Sequence, residues 1–285
     1  MKFLSIIIPV YNEVGAIEET LSSIKSMMIN AGINYEIVVV NDGSTDGTRE
    51  VLESFEGIRL INSDENRGYG ASLKKGIRSA KYDNIAITDA DGTYPNERIP
   101  EMFTFLGDYD MVVGKRSFKN LPNKTKPAKW FINKLANYLA GFKIPDINSG
   151  LRLFKKEIAV KYFNIISDGF SFTTTITLAM LTNNYNVKYI PIDYYKREGK
   201  SKIKPIYDTF NFIQMIIRTV MYFNPLKVFV PLAFFLLFIS ILVLVGSSLW
   251  MERVLDATFS ILFLSGIQML AIGMIADLID KRMKM

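Results

Sequence analysis

Two aspartates separated by one residue, Asp89 and Asp91 in Thr88-Asp89-Ala90-Asp91-Gly92, are the side chains whose type and spacing best suit chemistry. They follow an apolar run, Ile85-Ala86-Ile87, that reads as a buried strand. The two-residue period of an extended chain turns both carboxylates to one side. Hard divalent cations take oxygen ligands, and magnesium commonly uses one or two carboxylates plus substrate phosphates. The pair therefore suits Mg2+ or Mn2+ gripping a diphosphate. Two further polar clusters end apolar runs in the same way: Pro9-Val10-Tyr11-Asn12-Glu13 and Asn41-Asp42-Gly43-Ser44-Thr45-Asp46. Tyr11 could contact a base or sugar, and Glu13 and Asp42 could accept from ribose hydroxyls or base N–H groups. Each cluster alone also serves as a turn or a helix cap, with Asp46 a natural N-cap. Three of them on one rim call for a ligand.

Composition narrows the chemistry further. The 285 residues include no histidine and no cysteine. That removes disulfides, thiolate zinc sites, cysteine nucleophiles and imidazole acid–base catalysis. Carboxylates, Lys and Arg, hydroxyls, backbone dipoles and a hard metal remain. A net charge of +6 and a pI near 9.2 favour anionic partners, either a phosphorylated substrate or anionic lipid. Nucleic acid is not expected, because the basic residues gather beside the apolar C-terminal segments rather than along an aromatic groove.

The elements that must position these residues follow from hydrophobic periodicity. Strands are expected at Phe3–Ile8, Tyr35–Val40, Ile58–Ile61 and Asn84–Thr88, alternating with helices at Val14–Asn30, Asp46–Phe55 and Tyr69–Ala80. This alternation predicts an α/β domain with a mostly parallel, Rossmann-like sheet, whose ligands bind beyond the carboxyl ends of the strands. A dinucleotide-binding dehydrogenase would carry G-x-G-x-x-G straight after the first strand. The chain has Pro9-Val10-Tyr11-Asn12-Glu13 there, and its later Gly68-Tyr69-Gly70 lacks the third glycine.

Val228 to Trp250 and Ala257 to Ala276 carry no charged residue. At about 1.5 Å per residue, either is long enough for a hydrocarbon core of about 30 Å. Lys227 precedes the pair and Lys281, Arg282 and Lys284 follow it, whereas the turn Met251–Asp256 holds one Arg against two acids. The positive-inside rule then places both ends, with the long N-terminal domain, in the cytoplasm. The N-terminal apolar run reads as a strand, and no cleavable signal peptide is expected. Between domain and hairpin, Ile206, Phe210, Ile213, Ile217 and Val220 share one helical face, and Asp208, Asn211, Gln214 and Arg218 form a polar stripe. That pattern suits a helix lying in the membrane interface. The expected organisation is a cytosolic catalytic domain over 1–204, an amphipathic interfacial helix over 205–225, and a transmembrane hairpin over 226–285 with spans at about 228–250 and 257–276.

Taken together, P-x-Y-N-E, N-D-G-S-x-D-G-T and D-A-D resemble the inverting GT-A glycosyltransferases of family two. Within them the chain is similar to the polyprenol-phosphate glycosyltransferases, which include the dolichol-phosphate mannose synthases; the likeness runs from about Met1 to Ile203. The resemblance implies a GT-A fold, a divalent metal, a nucleotide-diphosphate sugar as donor and a polyprenyl phosphate as acceptor. It assigns Pro9, Tyr11, Glu13, Val40 and Asp42 to the nucleotide pocket, and Asp89, Ala90 and Asp91 to the nucleotide-sugar and metal site. Thr93 stands where the mannose synthases have a glutamine metal ligand. Gly114-Lys115-Arg116 is similar to the family's G-S-R turn, with Arg116 poised for phosphate and counted with Asp89 and Asp91 as catalytic. Lys129 stands nearest to an arginine of the acceptor helix, and Ser149-Gly150-Leu151-Arg152 resembles the S-G-x-R motif beside the acceptor. Arg197, Lys200 and Lys202 fall in a G-x-S-K-like segment that would lie over the two phosphorylated reactants.

A phosphate monoester has a second pKa near 6, so as nucleophile it needs no general base. A sugar hydroxyl needs one, commonly a carboxylate. Ser171 to Thr177 contains no acid, and the nearest, Asp168, reads as a helix-start residue. The pattern thus favours a phosphate acceptor over a lipid-linked or polymer hydroxyl. The departures from the mannose synthases favour a UDP-hexose or UDP-N-acetylhexosamine over GDP-mannose. A non-catalytic membrane scaffold and a homo-oligomer both stay open at this stage.

Overall fold

The computed structural model of the protein describes residues 3–117, 134, 137–138, 141–169, 171–195, 205–250 and 255–283. Seven strands form one sheet: β1 (Phe3–Val10), β2 (Asn34–Asp42), β3 (Arg59–Ser63), β4 (Asn84–Ile87), β5 (Met111–Arg116), β6 (Arg152–Lys155) and β7 (Val187–Ile192). Their order is β3-β2-β1-β4-β6-β5-β7. β6 pairs antiparallel with both β4 and β5, while every other pair is parallel, so β6 alone runs against the rest. The carboxyl ends of the other six strands and the start of β6 therefore share one rim. The strand order reverses around β1 and β4, the kind of switch point at which open α/β sheets bind ligands.

Period-two alternation divides the core. Ile6, Ile8, Val10, Ile37 and Val39 face one side of the sheet, where α1 (Ile17–Asn30), α2 (Thr48–Ser54) and α4 (Ile99–Thr104) lie. Ile7, Val38, Val40, Ile85 and Ile87 face the other, beneath α3 (Tyr69–Ser79), α5 (Lys156–Lys161) and α6 (Phe172–Thr182). Strands buried on both faces read as continuous apolar runs, which is why β1, β2 and β4 are legible in the sequence. β5, β6 and β7 lie beyond the strands expected from the sequence, and two of them carry Lys or Arg at their rim-facing ends. α1 starts three residues later than its apolar pattern, because Ala16 N–H and Ile17 N–H both turn back to the Glu13 carbonyl.

α7 (Pro205–Phe223) is a single helix. Ile216 and Val220 pack against Ile144, Ile147 and Leu178, and Phe223 joins the core beneath α5 and α6. Its C-terminal half is thus seated on the α/β domain. α8 (Leu226–Trp250) and α9 (Asp256–Met283) then run as an antiparallel pair, and both are long and apolar enough to cross a membrane. Gly266 meets Leu237, and Gly273 meets Phe229, so the helices approach closely. Small residues on α8, Ala233, Ser240 and Ser247, are buried. Phe234, Phe235, Phe238, Ile241 and Leu242 are left exposed.

Candidate active site

The rim is built from loops that lock onto one another. At the end of β1, Asn12 takes a left-handed conformation (φ 56°), uncommon for a residue with a side chain. Its backbone N–H donates to Ser44 Oγ at 3.0 Å, and its Oδ1 accepts from Thr45 N–H at 2.7 Å. Glu13 N–H donates to Thr48 Oγ1 at 3.0 Å, and Val14 N–H donates to Asp46 at 3.3 Å. Asp46 also accepts from Thr48 N–H at 3.1 Å; it sits one residue ahead of the Gly47 cap of α2. These bonds fix Tyr11 and Glu13, both half-buried, beside the end of β2.

Asp42 ends β2 on the face turned to α3 and is 3% exposed. Its two oxygens accept from Arg67 N–H at 3.0 Å and Gly68 N–H at 2.8 Å. The carboxylate thereby shapes the turn that leads into α3. Val40 and Pro9 are buried in the sheet, and the Val40 side chain is part of the core. They back the rim from inside the sheet.

The loop after β4 is anchored at both ends. Thr88 donates to Asn96 Oδ1 at 2.7 Å, with both residues buried, and Thr20 donates to the Ala90 carbonyl at 3.3 Å. Ala90 itself is 3% exposed and points into the core, which turns its neighbours outward. Asp89 and Asp91 are both half-buried. Asp89 Oδ1 accepts from the Tyr69 hydroxyl at 2.9 Å. Asp91 Oδ1 accepts from Thr93 Oγ1 at 2.6 Å and Thr93 N–H at 3.2 Å. Thr93 is fully buried and is seated behind Asp91, with its hydroxyl proton committed to that carboxylate. Gly150 closes the far side of Asp89: a Cβ there would stand 2.7 Å from Oδ2 and would push the carboxylate from this position.

Two arginines lie on the same side of the rim, and both are engaged by the protein. Arg116, at the end of β5, donates through Nε and Nη2 to Asp146 at 2.8 and 2.9 Å, a bidentate pair, and its backbone N–H adds a third bond at 3.1 Å. Asp146 is 2% exposed. Burial works against the Arg116 charge, but the hydrogen bonds to Asp146 and the neighbouring negative charge hold the guanidinium above its usual range. Its plane lies over the Tyr194 ring at 5.3 Å, and Tyr194 meets Tyr94 edge-on. The Tyr94 hydroxyl accepts from Gly150 N–H at 2.6 Å. Arg152 is fully buried at the start of β6, on the face of the sheet covered by α6. It donates to the Ser149 carbonyl at 3.0 Å, the Thr173 carbonyl at 2.9 Å and Thr177 Oγ1 at 2.8 Å. Burial pulls its pKa down. Arg152 therefore lies under the rim, tying the 147–149 loop to the first turn of α6. Ser149 is buried with it, and its Oγ has no hydrogen-bond partner among the described residues. Of the other expected phosphate-binding residues, Lys129, Arg197, Lys200 and Lys202 lie outside the described residues.

The site so far is a carboxylate pair at a sheet rim, beside the interlocked polar loops that end β1 and β2. Among the described residues, no third His, Cys, Asp or Glu joins Asp89 and Asp91 to make a protein-only metal cage. An all-oxygen pair with open positions fits a hard ion that completes its shell with substrate phosphates. The sequence did not single out Tyr69, Asn12, Asp146, Tyr94 or Tyr194. For Tyr69, the flanking Gly68 and Gly70 were the available signal. For Asp146 there was none, because its partner is thirty residues away. Asp168 does not start a helix: the cap of α6 is Ser171, and Asp168 pairs with Lys74 at 2.7 Å.

The family model for glycosyl transferase family 2 matches residues 5–163, and that for the GtrB C-terminal hairpin matches residues 224–281. The chain is 30% identical over 206 residues to a dolichyl-phosphate hexose transferase of Haloferax volcanii, covering 71% of this chain and 87% of that protein. It is 26% identical over 302 aligned positions to an undecaprenyl-phosphate 4-deoxy-4-formamido-L-arabinose transferase of Aeromonas hydrophila, covering 99% and 89%. A low-salt glycan biosynthesis hexosyltransferase of Haloferax volcanii is 28% identical over 75% of this chain; the chain spans about half, 53%, of that protein's length. Among solved structures, glucosyl-3-phosphoglycerate synthase from Mycobacterium tuberculosis, in complex with Mn2+, UDP and glucosyl-3-phosphoglycerate, superposes with a TM-score of 0.58. The identity is 16%, over 76% of this chain and 78% of that one, a likeness of fold.

Proposed function

The chain belongs to glycosyl transferase family 2, with a GT-A catalytic domain, and on that premise we propose that it transfers a hexose from a nucleoside-diphosphate sugar to a membrane polyprenyl phosphate with inversion. One observation carries this reading: a single chain joins the Asp89/Asp91 rim to two helices long enough to cross a membrane, through a helix seated on the catalytic domain. Relatives named as dolichyl- and undecaprenyl-phosphate transferases support the same acceptor. UDP-sugars are the favoured donors.

In this reading an oxygen of the lipid phosphate attacks the anomeric carbon. The bond from that carbon to the diphosphate breaks, and the nucleoside diphosphate leaves with the electron pair. A divalent ion, when bound, supplies Lewis-acid stabilisation to the departing diphosphate. Asp89 and Asp91 would hold it, and Thr93 orients Asp91 from behind. Tyr11, Glu13 and Asp42 line the nucleotide pocket. The attacking phosphate is largely a dianion at neutral pH and brings its own charge, so no base is needed. This agrees with α6, whose first turn holds Thr173, Thr174 and Thr175 and which contains no acid. Arg116 and Arg152 act by shaping the loop over residues 146–150. Neutralisation of the two phosphorylated reactants falls to Lys200, Lys202, Arg197 and Lys129. The hairpin keeps the site at the bilayer surface, where the lipid phosphate is, with the catalytic domain and both termini cytosolic.

The test is a transfer assay with purified protein, radiolabelled UDP- and GDP-sugars, polyprenyl phosphate and Mn2+ or Mg2+. A metal-dependent, organic-soluble product cleaved by mild acid is the expected result. An acid-resistant glycoside would point to a hydroxyl acceptor and overturn the lipid-phosphate reading.

A further inference from the structure

We propose that Tyr69 is a positioning residue that aligns Asp89 and links it to the nucleotide pocket around Asp42. This rests on the function proposed above and deepens it. Tyr69 opens α3, and its hydroxyl reaches across the rim to Asp89 Oδ1 at 2.9 Å. The turn that carries it is gripped from two sides. From inside the sheet, the Asp42 carboxylate takes Arg67 N–H and Gly68 N–H. From outside, the Asp168 carbonyl accepts from Ala71 N–H at 2.8 Å, and Lys74 ties its ammonium to Asp168 Oδ1 at 2.7 Å. Gly70 lies so close to this outer clamp that a Cβ would stand 2.2 Å from the Ser167 carbonyl. Gly68 is held at φ 102°, a conformation that glycine adopts without cost.

Tyr69 thus has little freedom, and what it holds has little freedom either. Asp89 sits between the Tyr69 hydroxyl and the Gly150 backbone. A hydrogen bond from a neutral donor leaves the carboxylate its charge while fixing its plane. Reacting groups must be held to within a fraction of an ångström, and a loosened carboxylate forfeits that. Because one turn contacts both Asp42 and Asp89, the pocket for the base and the grip on the diphosphate are set by the same three residues, 67–69.

The experiment compares full-length wild type, Tyr69→Phe and Tyr69→Leu. Calorimetry reads binding of UDP and of GDP with and without Mn2+, thermal unfolding reads stability, and the transfer assay reads kcat and donor KM. A hydrogen bond to a charged group is worth about one to two powers of ten in an equilibrium or rate. Tyr69→Phe is expected to lose about ten- to a hundredfold in kcat, with donor KM in Mn2+ rising by no more than the Mn2+-dependent part of nucleotide affinity. It should also lose most of the Mn2+-dependent gain in nucleotide affinity, with metal-free affinity and Tm unchanged. Tyr69→Leu should match it in kcat but melt lower, because the ring is lost as well. A wild-type kcat and Mn2+ gain in Tyr69→Phe would overturn the proposal, as would a loss confined to Tyr69→Leu, which would mark simple packing. Should wild type bind Mn2+ and nucleotide but transfer nothing to polyprenyl phosphate, the acceptor reading fails, and the binding comparison still decides the role of Tyr69.

Discussion

Asp89 and Asp91 are held by different donors, a phenol from the start of α3 and a threonine two residues downstream. The local bond sets Asp91, and the distant one sets Asp89. Asp91→Ala is expected to abolish transfer while leaving the fold intact, checked by the transfer assay alongside circular dichroism; transfer at the wild-type rate would remove Asp91 from the site. The arginines behave unlike free phosphate ligands. Arg116 has a carboxylate partner that is 2% exposed, and removing one member of such a buried pair leaves an uncompensated charge. Asp146→Ala should therefore destabilise the domain by roughly 3 kcal/mol, at the low end for buried pairs because Arg116 keeps some solvent contact. Thermal unfolding reads it, and an unchanged Tm would mean that the pair contributes nothing to stability.

At the scale of elements, the sheet gathers seven strand ends into one rim, but the first turn of α3 determines how the rim is joined. Gly76 lets α3 lie on β1, where a Cβ would meet Ile7 at 2.4 Å, and Gly70 lets its first turn pass under the 166–169 segment. Gly70→Ala cannot be absorbed by a flexible side chain, because the atom it meets is a backbone carbonyl. The expected outcome is a loss of about 1–3 kcal/mol, typical of overpacking, together with lower kcat as Tyr69 shifts from Asp89. Chemical denaturation and the transfer assay check it; wild-type values in both would show that the turn relaxes freely. α6 contributes in another way. Its threonines are buried against the 147–149 loop, where Thr174 donates to Asn148 Oδ1 at 2.6 Å and Arg152 bridges Ser149 to Thr173. This places hydroxyls and a guanidinium, rather than a carboxylate, beneath the 147–149 loop, on the proposed acceptor side.

For the whole molecule, α7 joins the α/β domain to the apolar helix pair. One face packs on Ile144, Ile147 and Leu178, and its end leads into α8 through Asn224 and Pro225. The exposed Phe and Leu residues of α8 and α9 form an apolar surface far larger than a soluble monomer leaves to water. The proposed orientation puts the turn between α8 and α9 across the bilayer from the catalytic domain. The chain has no cysteine, so Glu252→Cys gives a single reporter. In intact cells a membrane-impermeant maleimide should label it from outside, while a cysteine at Ser54, on the catalytic domain, is labelled only after lysis. The reverse pattern would invert the topology.

The sequence by itself determined the class of fold, the rim residues and the apolar hairpin, because each is encoded over a few neighbouring positions. Strand burial shows as a run, helix amphipathicity as a period, and Asp89-Ala90-Asp91 as a spacing. Only the tertiary structure decided what each polar residue is bonded to. Tyr69 and Asp89 are twenty residues apart, and Arg116 and Asp146 thirty, and no local pattern reports a pairing at such distance. The same holds for Arg152, which reads as a phosphate ligand beside Ser149-Gly150 but lies on the inward face of β6, where the alternation of the strand sends it under α6. Motif spacing identifies which groups come to the rim; burial and the direction of each strand decide which of them remain available to a substrate.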